Sequence, residues 1–211
     1  MGQSNTQKKI LDAAEHLFAK EGFHSTSLRM LTREAGVNLA AVNYHFGSKE
    51  ELIKAVIERR LLPLNRLRID KLHGVKELAE GEGRLPGVKE VLQAFIEPTF
   101  AFRKSGKGAQ DFITLISRSF SEPEGTVRQI FLEMVRPVFE LLYKILCEAL
   151  PNLPGDVIYW RMHFTLGAMG HAMNTRHMSQ MVPAGLVLKI DVVSMSEQFI
   201  DFVTSGLEAP I

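Results

Sequence analysis

One cysteine, Cys147, is all that the 211-residue chain offers. A disulfide within the chain is excluded, and the composition suits a reducing compartment. The surroundings of Cys147 are apolar at helical spacing, which predicts a buried and unreactive thiol. Long apolar runs are missing too. None reaches the ~18 residues a membrane span needs, so no membrane partner is expected. The stretch MGQSNTQKKILDAAEHLF breaks its apolar positions with charges and has no signal-peptide pattern, so the expected location is cytoplasmic. Neither sign of charge dominates: 25 Lys+Arg stand against 24 Asp+Glu, for a net +1. The first 60 residues hold nine basic and seven acidic residues, +2, and the rest 16 against 17, −1. Such a balance excludes a broad electrostatic footprint on nucleic acid and leaves a few well-placed phosphate contacts. There is no G-x-S-x-G elbow, no P-loop and no G-x-G-x-x-G, so no catalytic residue is assigned and a small helical enzyme is a weak alternative. His163, His171 and His177 fall on one expected helix, but without an HxxxH pair and an acidic partner, so neither a metal site nor a cofactor is expected.

What the chain does have is helical periodicity almost throughout, and enough apolar residues, 45%, for a sizeable core. The fold class expected is all-α with about nine helices. The first spans about 5–21, with Ile10, Leu11, Ala14, Leu17 and Phe18 on one face, Gly22 ending it, and Ser4 with Gln7 as a capping box. The second, about 27–35, turns Leu28, Leu31 and Ala35 inward. A third follows at 39–46. Ser48 and Glu51 form a capping box for a fourth, which runs to about 72 and is kinked by Pro63. The polar, Gly-rich stretch HGVKELAEGEGRLP, 73–86, predicts a linker. Further helices are expected at about 87–104, 107–121, 125–150, 154–179 and 189–206, with kinks at Pro98 and Pro137.

The stretch STSLRMLTREAGVNLAAVNYHFGSK, 25–49, carries the most information. It reads as two short helices joined at Ala35-Gly36-Val37, where Gly36 can adopt the positive φ of a sharp reversal. Asn38 is a good N-cap for the helix that follows. At ~100° per residue, Val42, His45 and Phe46 share one face, and Leu39, Ala40, Asn43 and Tyr44 share another. The first face can pack on neighbouring helices. The second is small, polar and aromatic, and suits a DNA major groove.

The run T-S-x-R-x-L-x-x-x-A-G-V-N-x-A-A-V-N-Y-H-F-G-S-K-E-E-L resembles the DNA-binding domain of TetR-family transcriptional regulators. The resemblance implies a three-helix helix-turn-helix domain, 1–48, and a helical ligand-binding and dimerisation domain, 49–211, with helix four as connector. Carried over from that pattern, Arg29 reaches a base edge or a phosphate, with guanine as its natural partner. Tyr44, His45 and Lys49 match positions that hold the DNA backbone. Asn43 departs from the tyrosine common there. It can bond adenine bidentately or contact a phosphate. Leu39, Ala40 and Ala41 offer apolar contact to thymine methyls. Thr26 and Ser27 offer hydroxyls that serve phosphate contact, helix capping or both. Lys49 is electrostatically disfavoured in a first helical turn unless a phosphate shares the site.

Within the body, the run Y-W-R-M-H-F-x-L-G-A, together with AGVNLAAVNYHFGSK, is similar to the PsrA-type subgroup of that family, which responds to long-chain fatty acids or their thioesters. The resemblance implies a repressor that a fatty acid or acyl-CoA releases from a pseudo-palindromic operator. A multidrug-type cation sensor is the alternative, and a helical scaffold a further one. Phe112, Phe120, Met134 and Trp160 are candidates for an apolar pocket, and Arg118 or His163 for an acyl head group. The presence of Arg103, Arg118, Arg136 and Arg161 suits an anion better than a cation. The family builds a four-helix homodimer interface from its last two long helices. Here Gly167, Ala168 and Gly170 permit close approach, and Val192, Met195, Phe199 and Val203 recur at intervals of three and four. For the glycine-bearing stretch, packing within one chain is the other reading.

Overall fold

The structure, a computed structural model, describes residues 2–120, 125–173, 182–187 and 192–211, with side chains from residue 5 onward apart from 192 and 193. Ser121, residues 174–179 with His177, residues 189–191 and the side chains of Ser4 and Val192 lie outside the described residues; the backbone of Ser4 is helical, within a helix that starts at Gly2, so Ser4 is not at the expected N-cap position. Among the described residues every regular element is an α-helix. They are α1 (Gly2–Glu21), α2 (Leu28–Ala35), α3 (Leu39–Phe46), α4 (Lys49–Gly81), α5 (Val88–Arg103), α6 (Lys107–Ser119), α7 (Thr126–Ala149), α8 (Gly155–Met173) and α9 (Val192–Glu208). No described helix is long and apolar enough to cross a membrane.

Two compact units partition the chain. One comprises residues 1–63 and 105–135, the other 64–104 and 136–211. Packing thus groups α6 and the first half of α7 with the N-terminal helices, a different division from the boundary expected after residue 48.

In the first unit α1 buries Ile10, Ala14, Leu17 and Phe18 of the stripe its spacing predicts, while Leu11 of that stripe is half-buried; Leu31 from α2, Val42 from α3, and Leu52, Ile53 and Val56 from α4 are buried with them. Each such side chain contributes about 1.5–3 kcal/mol when fully buried. One ion network centred on the buried Glu15 joins α1 to α4. Glu15 accepts a bidentate pair from Arg60, Nε to Oε1 at 2.7 Å and Nη2 to Oε2 at 2.9 Å, and also bonds Arg59. Arg59 in turn donates to Asp12 at 2.6 Å. The hydrogen bond from Arg60 to Glu15 raises the guanidinium's pKa above its usual value, against the effect of burial.

In the second unit α5 and α9 share an aromatic seam. The rings of Phe100 and Phe199 lie 5.6 Å apart, and Phe95 meets Phe139 of α7 at 6.0 Å. α9 turns Ile200, Val203 and Leu207 inward. Its terminal carbonyls would be orphaned, but Arg161 donates to the carbonyls of Leu207 at 2.8 Å and Ala209 at 2.6 Å.

The expected linker at 73–86 is corrected. Residues 73–81 continue α4, and only 82–87 turn. Leu72 and Ala79 are fully buried, and Lys76 bonds Glu148 at 2.8 Å. Those contacts offset the cost of about 1 kcal/mol that a mid-helix glycine such as Gly74 imposes. Pro63, Pro98 and Pro137 all lie inside continuous helices. The capping box at Ser48 is half formed. Ser48 Oγ accepts from the Glu51 amide at 3.0 Å, while its own amide donates to the Phe46 carbonyl. Cys147 is half-buried, short of the full burial expected.

Candidate nucleic-acid interface

Backbone geometry sets the angle between α2 and α3. Ser27, in an extended conformation, caps α2 by accepting from the Met30 amide at 3.2 Å. Gly36 ends the helix in the left-handed conformation, φ 64° and ψ 39°, and the Val37 amide bonds back to the Thr32 carbonyl at 3.0 Å. Only glycine adopts that conformation without a steric penalty. Asn38 then caps α3, its Oδ1 accepting from the Ala41 amide at 2.8 Å. Three residues therefore reverse the chain with the helix ends satisfied.

The two faces of α3 separate as their spacing requires. Val42 is buried, and His45 and Phe46 are half-buried. Leu39, Ala40, Asn43 and Tyr44 are exposed, Tyr44 at 73%. Ala41 is half-buried at the margin. Ser27 and Arg29 are exposed on α2, and Met30, which was not singled out from the sequence, joins them at 36%. No acidic residue occupies the first turn of α2 or α3, so nothing there repels a phosphate from the positive helix ends.

Two of the residues expected at DNA have internal attachments. Thr26 is only 1% exposed, and its hydroxyl donates to the carbonyls of Gly22 at 2.7 Å and Leu17 at 3.3 Å. It closes the end of α1, so the expected phosphate contact through its hydroxyl does not hold. Lys49 lies 4.5 Å above the Phe23 ring and donates to the His24 carbonyl at 3.4 Å. Burial lowers its pKa. The aromatic ring explains a lysine in this first turn without a bound phosphate.

Comparison with known proteins bears on the same stretch. Residues 10–56 match the family described as bacterial regulatory proteins, tetR family. Residues 93–206, just over half of the chain, match the Tetracyclin repressor-like C-terminal domain. The chain belongs to the TetR family. UidR of Escherichia coli K12 is 35% identical over 78 residues, which are 36% of this chain and 40% of UidR. SrpR of Pseudomonas putida is 39% identical over 59 residues, 28% of each. The chain thus spans two-fifths or less of these two relatives' length. Among solved structures, FadR from Bacillus subtilis in complex with stearoyl-CoA has a TM-score of 0.68 at 17% identity, covering 94% of this chain and 98% of that one. NalD, the secondary repressor of a multidrug efflux pump in Pseudomonas aeruginosa, has a TM-score of 0.66 at 18% identity, covering 97% of each. These likenesses establish the fold.

In this TetR-family body the candidate ligand residues divide between the two units. Phe112, Arg118, Phe120 and Met134 belong to the first unit, Trp160 and His163 to the second. Phe112 is buried and Met134 half-buried, but Phe120 is 51% exposed and Trp160 55%. Trp160 and His163 sit on an open aromatic face of α8. There Trp160 stacks on Phe164 at 6.1 Å and Tyr159 on His163 at 6.1 Å, which argues against a pocket-lining role for either. Arg118 is exposed and donates to the Lys20 carbonyl. Arg161, expected to favour an anion, is committed to the end of α9. The candidate interface residues lie along that open face and beside it. Gly167 and Gly170 are exposed with open space where a Cβ would project, and Ala168, Met195 and Phe199 are half-buried.

A groove of about 540 Å³ does open in the first unit, between α1, α2, α4 and α6. Its walls carry Glu15 with Arg60, and His16, whose Nδ1 lies 3.1 Å from Asp111. Walls of paired charges do not suit an apolar effector. Among the described residues no group of three or more His, Cys, Asp or Glu could hold a metal.

Proposed function

We propose that this regulator is a homodimeric repressor, working beside the chromosome in the cytoplasm, that leaves its operator when its helical body takes up a long acyl chain. The exposed face of α3 carries the DNA part of this reading. Leu39, Ala40, Asn43 and Tyr44 project from a helix whose opposite face is packed, and Arg29 projects from α2 beside them. In this reading residues 1–48 meet DNA, residues 49–211 form the effector and dimer body, and α4 connects them. Eight helical residues span too few base pairs for useful specificity. Two copies related by a two-fold, with recognition helices about 34–36 Å apart, read a pseudo-palindrome.

A gel shift on the gene's own promoter region tests the first part. Asn43→Ala and Arg29→Ala should each cost about 1–3 kcal/mol and relax base preference at one position per half-site. Lys49→Ala should weaken all sequences alike and flatten the salt dependence. A Lys49→Ala variant that changed base preference while Asn43→Ala did not would reverse these roles.

The acyl effector is supported by the PsrA-type resemblance and by the likeness to a FadR that holds stearoyl-CoA. The effector must bind the DNA-free form more tightly, since equal affinity for both forms shifts nothing. A coupling of about 1–3 kcal/mol, roughly 5–150-fold in operator affinity, is the expected size, and operator DNA must weaken effector binding by the same factor. Operator binding titrated with stearoyl-CoA, stearate and a lipophilic cation decides the class. Release by the cation alone would favour the second reading, a multidrug sensor, which the likeness to NalD supports.

A further inference from the structure

One charge in the second unit has no counter-charge among the described residues. Arg68 of α4 is only 4% exposed. Its Nη1 donates to Asn65 Oδ1 at 3.2 Å and its Nη2 to Thr99 Oγ1 at 2.6 Å, both neutral acceptors. Thr99 can accept because its own hydroxyl donates to the Phe95 carbonyl at 3.1 Å. The guanidinium lies 4.5 Å from the centre of the Phe95 ring. Its Nε is buried with no hydrogen-bond partner among the described residues, and no described carboxylate pairs with it. Burial lowers its pKa to about 10, so it stays charged at neutral pH.

Such an arrangement is costly. A buried ion carries a desolvation penalty that only a counter-ion or a full set of hydrogen bonds offsets. Glu15 in the first unit shows the ordinary solution, with its carboxylate held by two guanidinia. Arg68 has the penalty without that solution. A guanidinium also presents its donors in a planar fork that matches a carboxylate or phosphate.

We infer that Arg68 is the anion-binding residue of the effector site, pairing with the acidic head of an apolar ligand whose body packs in the second unit. The acyl reading above supplies the tail of that ligand, and the inference rests on it for the tail alone. Neutral compounds of the same shape should bind poorly, because they leave the charge uncompensated.

Two matched pairs of probes test this on the full chain by calorimetric titration. Stearate is set against 1-octadecanol, and the anionic dye 1-anilinonaphthalene-8-sulfonate against neutral N-phenyl-1-naphthylamine. The intact protein should prefer stearate by about tenfold to a hundredfold, the usual scale of a charge-assisted hydrogen bond. Arg68→Met should erase that preference and leave octadecanol binding in place, and Arg68→Lys should restore part of it. Melting temperatures are read alongside. Stearate should raise that of the intact protein more than octadecanol does, and the two should act alike on Arg68→Met. Should Arg68→Met fail to fold, Arg68→Gln removes the charge, retains a donor to Thr99 and is judged by the same outcomes. A preference for stearate that survives loss of the charge overturns the role of Arg68 and leaves the acyl reading standing. If neither lipid binds, while the anionic dye is preferred through Arg68, the acyl reading fails and the anion site stands. Absence of anion preference in both pairs overturns both.

Discussion

Phe164→Asp should leave each protomer folded, convert the protein to a monomer and cut operator affinity by at least about a hundredfold, the scale lost when the second of two linked sites no longer engages. Phe164 is 66% exposed on α8, so the protomer's own core does not depend on it. It stacks on Trp160, and the bare glycines 167 and 170 lie on the turns that follow. An open aromatic and small-residue face of this kind is uncommon on a monomer and suits a helix–helix interface. A carboxylate there would be desolvated against a second copy. Sedimentation would report the oligomeric state, and footprinting on a full and a half operator the loss. A variant that stayed dimeric with unchanged affinity would remove α8 from the interface.

Glu15→Ala should destabilise the first unit by about 1–3 kcal/mol, the usual cost of removing charge-assisted hydrogen bonds to a group that keeps some access to solvent. The Glu15 side chain is 3% exposed, and its removal strands the Arg60 guanidinium that it holds through two hydrogen bonds. Asp12, 54% exposed and bonded to Arg59, is the control, with an expected cost of about 0–1 kcal/mol for Asp12→Ala. Urea melts compare the two, and a double-mutant cycle of Glu15 with Arg60 isolates the pair. Equal effects of Glu15→Ala and Asp12→Ala would mean that burial is not what makes this network matter. Gly108 adds a second probe. A Cβ there would fall 1.9 Å from Arg60 Nη2, so Gly108→Ala must displace the same guanidinium.

The helix-turn-helix geometry was legible because its elements are short and their signals local. The faces of α3 follow from spacing, and Asn38 and Gly36 end their helices for reasons that need no distant contact. Gly74, Gly81 and Gly83 suggested a linker because local propensity disfavours helix there, whereas the burial of Leu72 and Ala79 comes from tertiary packing. Thr26 shows the converse limit. A hydroxyl beside a DNA-reading helix looks available until the end of α1 is seen to need it. Trp160 and Phe164 mark a third limit, since an apolar residue on a helix does not say whether its own core or a second chain covers it. Arg68 was within reach. Leu61, Leu64, Arg68 and Leu72 recur at three and four, which sets the arginine in an apolar stripe of α4.

The cations on the reading surface are few. α3 has no lysine or arginine, α2 has Arg29 and Arg33, and Lys49 is drawn back over the Phe23 ring. Weak attraction to phosphates shortens each chance encounter with DNA, since that attraction supplies nearly all non-specific binding. In the proposed role, a search for the operator would proceed by many brief collisions through solution in preference to long slides along the duplex. Fewer copies are idled on irrelevant DNA, and the free pool that answers a change in effector concentration is larger for the same expression level.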